Sequence, residues 1–556
     1  MKNIVAGVLK KQVPLDESEI YNLIEIPPAP EMGDYAFPCF SLAKIYKKNP
    51  NQIALELKDK LKLPKEIESV KVEGAYLNFF VDKNILVKNI IGEILKKKDN
   101  FGKLKLKSKK VLIEFPSPNT NKPLHLGHLR NMAIGESVSR ILEFNNMKLT
   151  RVNLNNDRGI HICKSMLAYK KFGKNKKPNK KSDHFVGDFY VLFSQKSKID
   201  KNLEEQAQDM LKKWEDGDKE TVLLWKKMNN WALTGFKETY KLFGININKE
   251  YYESQLYKKG KEIILDGLKK GIFEKRNDNA VIMKLEEGEK VLLRPDGTSI
   301  YITQDLYLAK LKDQQYHPDL SIYVTGNEQN YHFDVLFSII KKLNFPFAEK
   351  LKHLSYGMVF LPEGKMKSRE GKVVDADDLI KEVSELVKKE LISRHKLSKI
   401  ELEKRSLKIA LAAIKYYLLK VDSNKSIIFN SEESINFEGD TGPYLQYSYA
   451  RASSILKKAK PKNKSTEIKK LEPKEIELVK KLSEFQEIVL KSYGNLNPSS
   501  VANYSCQLAQ TFNEFYHECS VINSENENFR ISLVKSFRIV LKNSLYLLGI
   551  DVLDEM

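Results

Sequence analysis

The sequence predicts a multidomain α/β protein: a small α+β unit at the N-terminus, a parallel-sheet domain with a helical insertion, and a C-terminal α-helical bundle. Three observations carry this expectation. Between about 108 and 380, short apolar runs alternate with amphipathic stretches, the pattern of parallel strands joined by crossover helices. Beyond 380 the strand-like runs stop and long amphipathic stretches follow one another. A chain of 556 residues also exceeds what a single core supports.

Residues 1–105 make the first unit. A helical start leads to the Pro-rich turn Ile26-Pro-Pro-Ala-Pro30, then Gly33-Asp-Tyr-Ala-Phe37 and the strand-like Tyr76-Leu-Asn-Phe-Phe-Val81. Asn78, Phe79 and Phe80 offer an amide and aromatic rings to an unpaired base. The phenylalanines could equally fill a core, and only one of two neighbouring strand residues can face inward. Residues 106–380 form the parallel-sheet domain, with strands expected at Val111–Phe115, Arg151–Asn155, Leu320–Thr325 and Ser355–Leu361. A Lys-rich helical insertion at about 170–245 interrupts the alternation. Its lysine run from Lys170 to Lys181 reads as solvated surface, with single-stranded nucleic acid as the alternative occupant. Residues 381–440 read as a helical linker region and 441–556 as the bundle. Helices are expected at Asp378–Leu397, Lys399–Val421, Tyr444–Lys460, Pro473–Tyr493, Ser499–Val521 and Phe529–Leu548.

Chemistry concentrates in two segments. Ser117-Pro-Asn-Thr-Asn-Lys-Pro-Leu-His-Leu-Gly-His128 follows the first strand and opens an amphipathic stretch to about Phe144. That is strand, Pro-bounded loop, helix, with histidines three apart where free N–H groups and the helix dipole favour an anion. No Gly-x-x-x-x-Gly-Lys-Ser/Thr loop occurs in the chain. A nucleotide would be held by imidazoles and amides rather than by a P-loop lysine. The second segment, Gly364-Lys-Met-Lys-Ser-Arg-Glu-Gly-Lys-Val-Val374, is a basic Gly-punctuated loop between Val359-Phe-Leu361 and Asp375-Ala-Asp-Asp378. Alone, the first could be buried structural histidines and the second ordinary surface.

Together these segments resemble the HIGH and KMSKS signatures of class I aminoacyl-tRNA synthetases. The run from Glu114 to Asn131 resembles the arginyl-tRNA synthetase version of the first. Gly439-Asp-Thr-Gly-Pro-Tyr-Leu-Gln-Tyr-Ser-Tyr-Ala-Arg451 and the ending Leu547-Leu-Gly-Ile550 to Met556 resemble later parts of that family's pattern. The resemblance spans essentially the whole chain. It implies a Rossmann-like catalytic domain and an N-terminal additional domain that touches tRNA. It also implies ATP-dependent attachment of L-arginine to its tRNA through arginyl-adenylate, releasing AMP and pyrophosphate.

Carried over residue by residue, the resemblance makes His125, His128, Lys122 and Lys365 catalytic. ATP would meet Gly127, both histidines, Gly326, His332, Lys365, Met366, Lys367, Ser368 and Arg369. Arginine would meet Glu114, Asn119, His125, Tyr301, Asp305 and Gln329. A guanidinium is five donors and no acceptor, so its pocket needs carboxylates and carbonyls. Tyr301 and Asp305, four apart, share a face if that stretch is helical. The tRNA would meet Asn78, Phe79, Tyr444, Gln446, Tyr447, Arg451, Tyr504, Tyr516 and Met556, with Phe512 a further aromatic of the same kind. The second signature departs from its pattern: the usual second lysine falls on Ser368, and Lys367 sits one residue early. In the resembled family that lysine is often missing, and a lysine upstream of the first histidine, here Lys122, takes its place. Mg²⁺ is expected with ATP, with no dedicated metal site.

Composition sets outer bounds. The net charge of +21 invites a nucleic-acid partner, although nearly all the excess is lysine, which a biased genome imposes on any protein. Arginine is scarcer, so Arg130, Arg140, Arg151, Arg158 and Arg369 near the signatures suggest specific roles. Cys39, Cys163, Cys506 and Cys519 show no Cys-x-x-Cys spacing, which indicates neither zinc knuckle nor disulfide framework. No run approaches the ~20 apolar residues of a membrane span. A reduced, cytoplasmic, monomeric protein is expected. Two rival functions stay open at this point: another class I ligase, such as that for cysteine or glutamate, and a catalytically silent tRNA-binding paralogue.

Overall fold

The computed structural model describes 1–285, 288–298, 300–362, 374–394, 397–459, 468 and 470–556. Two compact units emerge. The first comprises Met1–Phe101 with Ile455–Glu484 and Gln510–Val540; the second comprises Gly102–Ser454, Phe485–Ala509 and Leu541–Met556.

In the first unit, β1 (Tyr35–Pro38), β2 (Ile67–Glu73) and β3 (Tyr76–Val81) form an antiparallel sheet in the order β1-β3-β2. Strand alternation settles which phenylalanine is inside. Phe79 is fully buried with Val5, Leu9, Phe37, Leu42 and Leu77. Phe80 takes the opposite face, where the Lys71 ammonium lies 4.7 Å from its ring centre.

The second unit is built on five parallel strands. β4 (Lys110–Glu114), β5 (Lys148–Asn155) and β6 (Lys249–Tyr252) run outward from the centre. A small antiparallel sheet follows, made of β7 (Glu274–Lys275), β8 (Val281–Lys284) and β9 (Glu289–Leu293). The chain then returns to the other side of β4 with β10 (Leu320–Gly326) and β11 (Leu351–Tyr356). The order β11-β10-β4-β5-β6 therefore reverses direction between β4 and β10, where open α/β sheets leave a crevice at their carboxyl edge. The helix Leu126–Phe144 packs across the sheet. A side chain at Gly135 would meet the Phe115 ring at 2.5 Å, so glycine permits that approach.

Three sequence expectations need correction. The expected strand Ser355–Leu361 is not continuous: β11 ends at Tyr356, and β12 (Val359–Phe360) pairs instead with β13 (Ile427–Ile428). β11 is an edge strand, mostly half-buried, so its residues carry no apolar run to announce it. The insertion begins before 170, with four helices at Ile160–Phe172, Ser182–Lys196, Asn202–Glu215 and Lys219–Phe243. The expected helix Pro473–Tyr493 breaks at Glu484 into Pro473–Ser483 and Phe485–Asn495. The other expected C-terminal helices are present as Ala376–Arg394, Lys399–Leu419, Gly442–Lys458, Ser499–Glu518 and Glu527–Leu547. All four cysteines are buried free thiols.

Candidate active site

The site starts from how one helix begins. His125 is the N-cap of Leu126–Phe144, in extended backbone, and its Nδ1 accepts the Gly127 N–H at 3.1 Å. His128 reaches back, its Nδ1 accepting the His125 N–H at 3.1 Å. The pair is thus a capping box made of imidazoles, with ring centres 3.9 Å apart. With both Nδ1 atoms accepting, each neutral ring carries its proton on Nε2 and has that N–H to donate. Burial, reinforced by Lys122, pushes His125 down to about 3 and, with His125 added, holds His128 well below its ordinary value. Burial also lowers the Lys122 ammonium. A Cβ at Gly127 would come within 3.0 Å of His125 Cε1, so glycine keeps the first ring in place.

This helix start opens onto a cavity of about 730 Å³ at the carboxyl edge of β4 and β10. Glu114, Asn119, Lys122, His125, Gly127, His128, Tyr301, Asp305, Gly326, Gln329 and His332 all line it. Every described residue expected to serve catalysis, ATP or arginine therefore meets in one place. Lys365, Met366, Lys367, Ser368 and Arg369 lie outside the described residues. Glu114 ends β4 and Gly326 ends β10, so strand register delivers them. Tyr301 opens the helix Tyr301–Tyr316, and Asp305 follows one turn later on the same face. Asp305 Oδ2 lies 2.7 Å from His332 Nε2.

Sequence reasoning missed Glu253 and Gln304, which also line the cavity. Burial raises the Glu253 carboxyl to about 7, against the pull of Arg158. Arg158 lines the cavity too, its guanidinium 4.0 Å from the Tyr257 ring centre and paired with Glu215 at 2.6 Å. The scarcity of arginine was the signal that marked it. The other described arginines near the signatures hold the framework. Arg130 donates to the carbonyls of Met358, Ser423 and Lys425, while Arg140 and Arg151 share Glu136.

A model of the catalytic domain of class I tRNA synthetases (R) matches residues 90–431, a DALR anticodon-binding model matches 445–556, and an arginyl-tRNA synthetase N-terminal model matches 1–81. The chain belongs to the arginyl-tRNA synthetase family. It is 46% identical to an arginine–tRNA ligase of Treponema denticola over 96% of this chain and 94% of that one. It is 44% identical to one of Borrelia hermsii over 100% and 98%. The solved Thermus thermophilus arginyl-tRNA synthetase superposes with a TM-score of 0.84 at 27% identity, covering 100% of this chain and 99% of that one.

Within this family member, the residues expected to touch tRNA divide by burial. Four are corrected. Phe79 and Tyr504 are buried in cores, Gln446 is buried with its amide donating to the Asp551 carbonyl at 2.6 Å, and buried Asn78 faces Glu73 at 3.4 Å. Phe512 is likewise buried, stacked on Phe537 at 3.7 Å. Phe79, Gln446, Tyr504 and Phe512 fall on the inward faces of their strand and helices, whereas Asn78, next to Phe79 on β3, takes the face of Phe80. Tyr444, Tyr447, Arg451 and Met556 are half-buried, and Tyr516 is 39% exposed. Arg451 donates to the Tyr447 hydroxyl at 2.9 Å.

Two clusters, Asp183/His184/Asp377 and His184/Asp375/Asp378, have the ligand types for a metal. The Lys181 ammonium already sits 2.7 Å from Asp377 and 3.0 Å from Asp183, in the place a cation would take. The donors grouped at the helix start, two imidazole N–H groups, an ammonium and backbone amides, suit an anion and do not form a cage for Mg²⁺.

Proposed function

We propose that this chain attaches L-arginine to its tRNA in two steps. The arginine carboxylate attacks the α-phosphorus of ATP, forming arginyl-adenylate and expelling pyrophosphate. The terminal ribose hydroxyl of the tRNA then attacks the activated carbonyl and AMP departs. The observation that carries this reading is the convergence of the predicted nucleotide and arginine residues on one cavity at the sheet's switch point.

The carboxylate is already a nucleophile, so the first step needs position and charge stabilisation more than a base. His125 and His128 supply two preorganised Nε2–H donors beside the helix N-terminus, aimed at phosphate oxygens. Gly127 lets the nucleotide approach, and Gly326 and His332 complete its pocket. Lys122 and Lys365, with Lys367 or Arg369, neutralise the departing pyrophosphate. Mg²⁺ would accompany ATP and offset the charge on its phosphates.

Arginine is chosen by acceptors: Asp305, Glu114, Tyr301 and Gln329 around the guanidinium, with Asn119 and His125 at the backbone end. A lysine substrate would leave the fork's acceptors partly unpaired, at a cost of roughly 3–5 kcal/mol. The tRNA is read by the N-terminal unit through Phe80 and by the C-terminal helices through Tyr444, Tyr447, Arg451, Tyr516 and Met556. The enzyme works as a cytoplasmic monomer; among the described residues no helix is long and apolar enough to cross a membrane.

The test is arginine-dependent exchange of labelled pyrophosphate into ATP, with and without arginine tRNA. Exchange that appears only with tRNA is expected. Tight tRNA binding with no exchange in either condition would make the chain a silent tRNA-binding paralogue.

A further inference from the structure

The helix Tyr301–Tyr316 carries more of the site than its cavity-lining residues. Tyr301, Gln304, Asp305 and Leu308 face the cavity, and the next position on that stripe is Lys312. A lysine on the inward stripe of a helix normally extends to water. This one does not: its side chain is 1% exposed, its ammonium contacts Glu114 Oε2, and the Glu114 side chain is 8% exposed. The ammonium also lies 4.3 Å from the Tyr323 ring centre, and Tyr323 is the β10 register partner of Glu114. Glu114 lines the cavity, whereas Lys312 stands behind it.

We infer that Lys312 is a positioning residue for arginine recognition, holding the Glu114 side chain in place with one oxygen committed and the other available to the substrate. This rests on the reading of Glu114 as an arginine ligand. A carboxylate only accepts hydrogen bonds and a guanidinium only donates them, so the direction in which the second oxygen points decides whether the pair can form. Glu114 forms its ion pair with Lys312. Asp305 comes from the same helix as Lys312. Tyr323 of β10 and Tyr251 of β6 are phenols held neutral by burial, with the charge of Glu114 adding to the effect. Lys312 thus performs at the cavity wall what the substrate's own guanidinium would otherwise have to do alone.

The test measures pyrophosphate exchange with arginine tRNA present, for Lys312→Met, Lys312→Arg, Glu114→Gln and the double variant Lys312→Met/Glu114→Gln. With Lys312→Met, KM for arginine should rise ~10-fold or more at pH 7, the size of one charge-assisted hydrogen bond. KM for ATP should hold, because Lys312 touches the arginine acceptor and not the nucleotide residues. Lys312→Arg should recover part of the loss. The double variant should be no worse than Glu114→Gln alone, because Lys312 acts through Glu114. If Lys312→Met does not fold, the double variant, which leaves no buried unpaired charge, carries the comparison. A raised arginine KM in Glu114→Gln together with an additive further loss in the double variant, or with a normal arginine KM in Lys312→Met, overturns the inference and spares the site. An unchanged arginine KM in Glu114→Gln overturns the site reading itself.

Discussion

At the scale of single residues, the two imidazoles at the helix start are each held by a backbone N–H. Each spends Nδ1 on the backbone and keeps Nε2–H for a ligand. His125→Asn retains a side chain suited to capping but cannot reach where Nε2 was. Pyrophosphate exchange should fall ~10²-fold, the usual effect of removing one oxyanion-type donor, with little change in melting temperature. The pH dependence has a definite sign. Both histidines titrate below their ordinary value when folded, His125 at about 3. Between that pH and ~6.5 the unfolded chain binds protons that the folded chain refuses, so stability increases with pH across the window. Urea midpoints at pH 5 and pH 7.5 should differ in that direction, and the difference should narrow in His125→Asn/His128→Asn. A second pair of residues separates core from surface. Phe79→Ala should cost about 3–5 kcal/mol in a denaturant melt, whereas Phe80→Ala should leave stability nearly unchanged and weaken tRNA binding.

At the scale of elements, the start of the helix Leu126–Phe144 is pinned by two devices. Arg130, fully buried, holds three carbonyls from the segments around Met358 and Ser423–Lys425. Arg130→Lys keeps a charge but cannot span three acceptors with a planar fork. It should destabilise the fold by about 2–4 kcal/mol in chemical denaturation. The second device is the strand-like stretch 374–376. The Leu126 N–H donates to the Val374 carbonyl at 3.3 Å and the Ala376 N–H to Leu124 at 2.9 Å. His184 then bridges Asp375 at 3.3 Å and Asp377 at 3.1 Å. Its hydrogen bond to Asp377 raises its pKa against burial, and burial pushes the Asp375 carboxyl up to about 6. Both shifts have one sign. Their contributions are complete below the respective unfolded values and are lost as pH rises through the folded ones. Amide exchange at the start of Ala376–Arg394, corrected for its intrinsic pH dependence, should accelerate above neutrality, and His184→Gln should flatten that dependence. An unaltered dependence in His184→Gln would remove His184 from this role.

At the scale of the whole molecule, the net charge of +21 sets how tRNA is met more than how the chain folds. Binding to tRNA should weaken linearly in log affinity against log salt, with a steep slope from counterion release. A slope near zero would mean that the lysine excess is compositional only. Single lysine replacements on the exposed surface should each lower the slope slightly, while Tyr516→Ala should reduce affinity and leave the slope intact.

Apolar runs at β4 and β10 declared the parallel sheet, because central parallel strands are buried on both faces, while β5 alternates apolar residues with the buried Asn153 and Asn155. The strand–loop–helix passage into His125 and His128 was local, so capping preferences sufficed to place it. The C-terminal helices were legible from periodicity alone. Edge strand β11, short β6 and the break at Glu484 were not, since burial there is partial and set by neighbours distant in sequence. Tertiary structure alone decided which aromatic faced inward at Phe79 and Phe80, and that Tyr504 and Gln446 lie in a core. It also decided that Lys312, ordinary in the sequence, is buried against Glu114, a partner 198 positions away. Periodicity reports a residue's own element, whereas the environment of a buried charge depends on which elements the fold brings together.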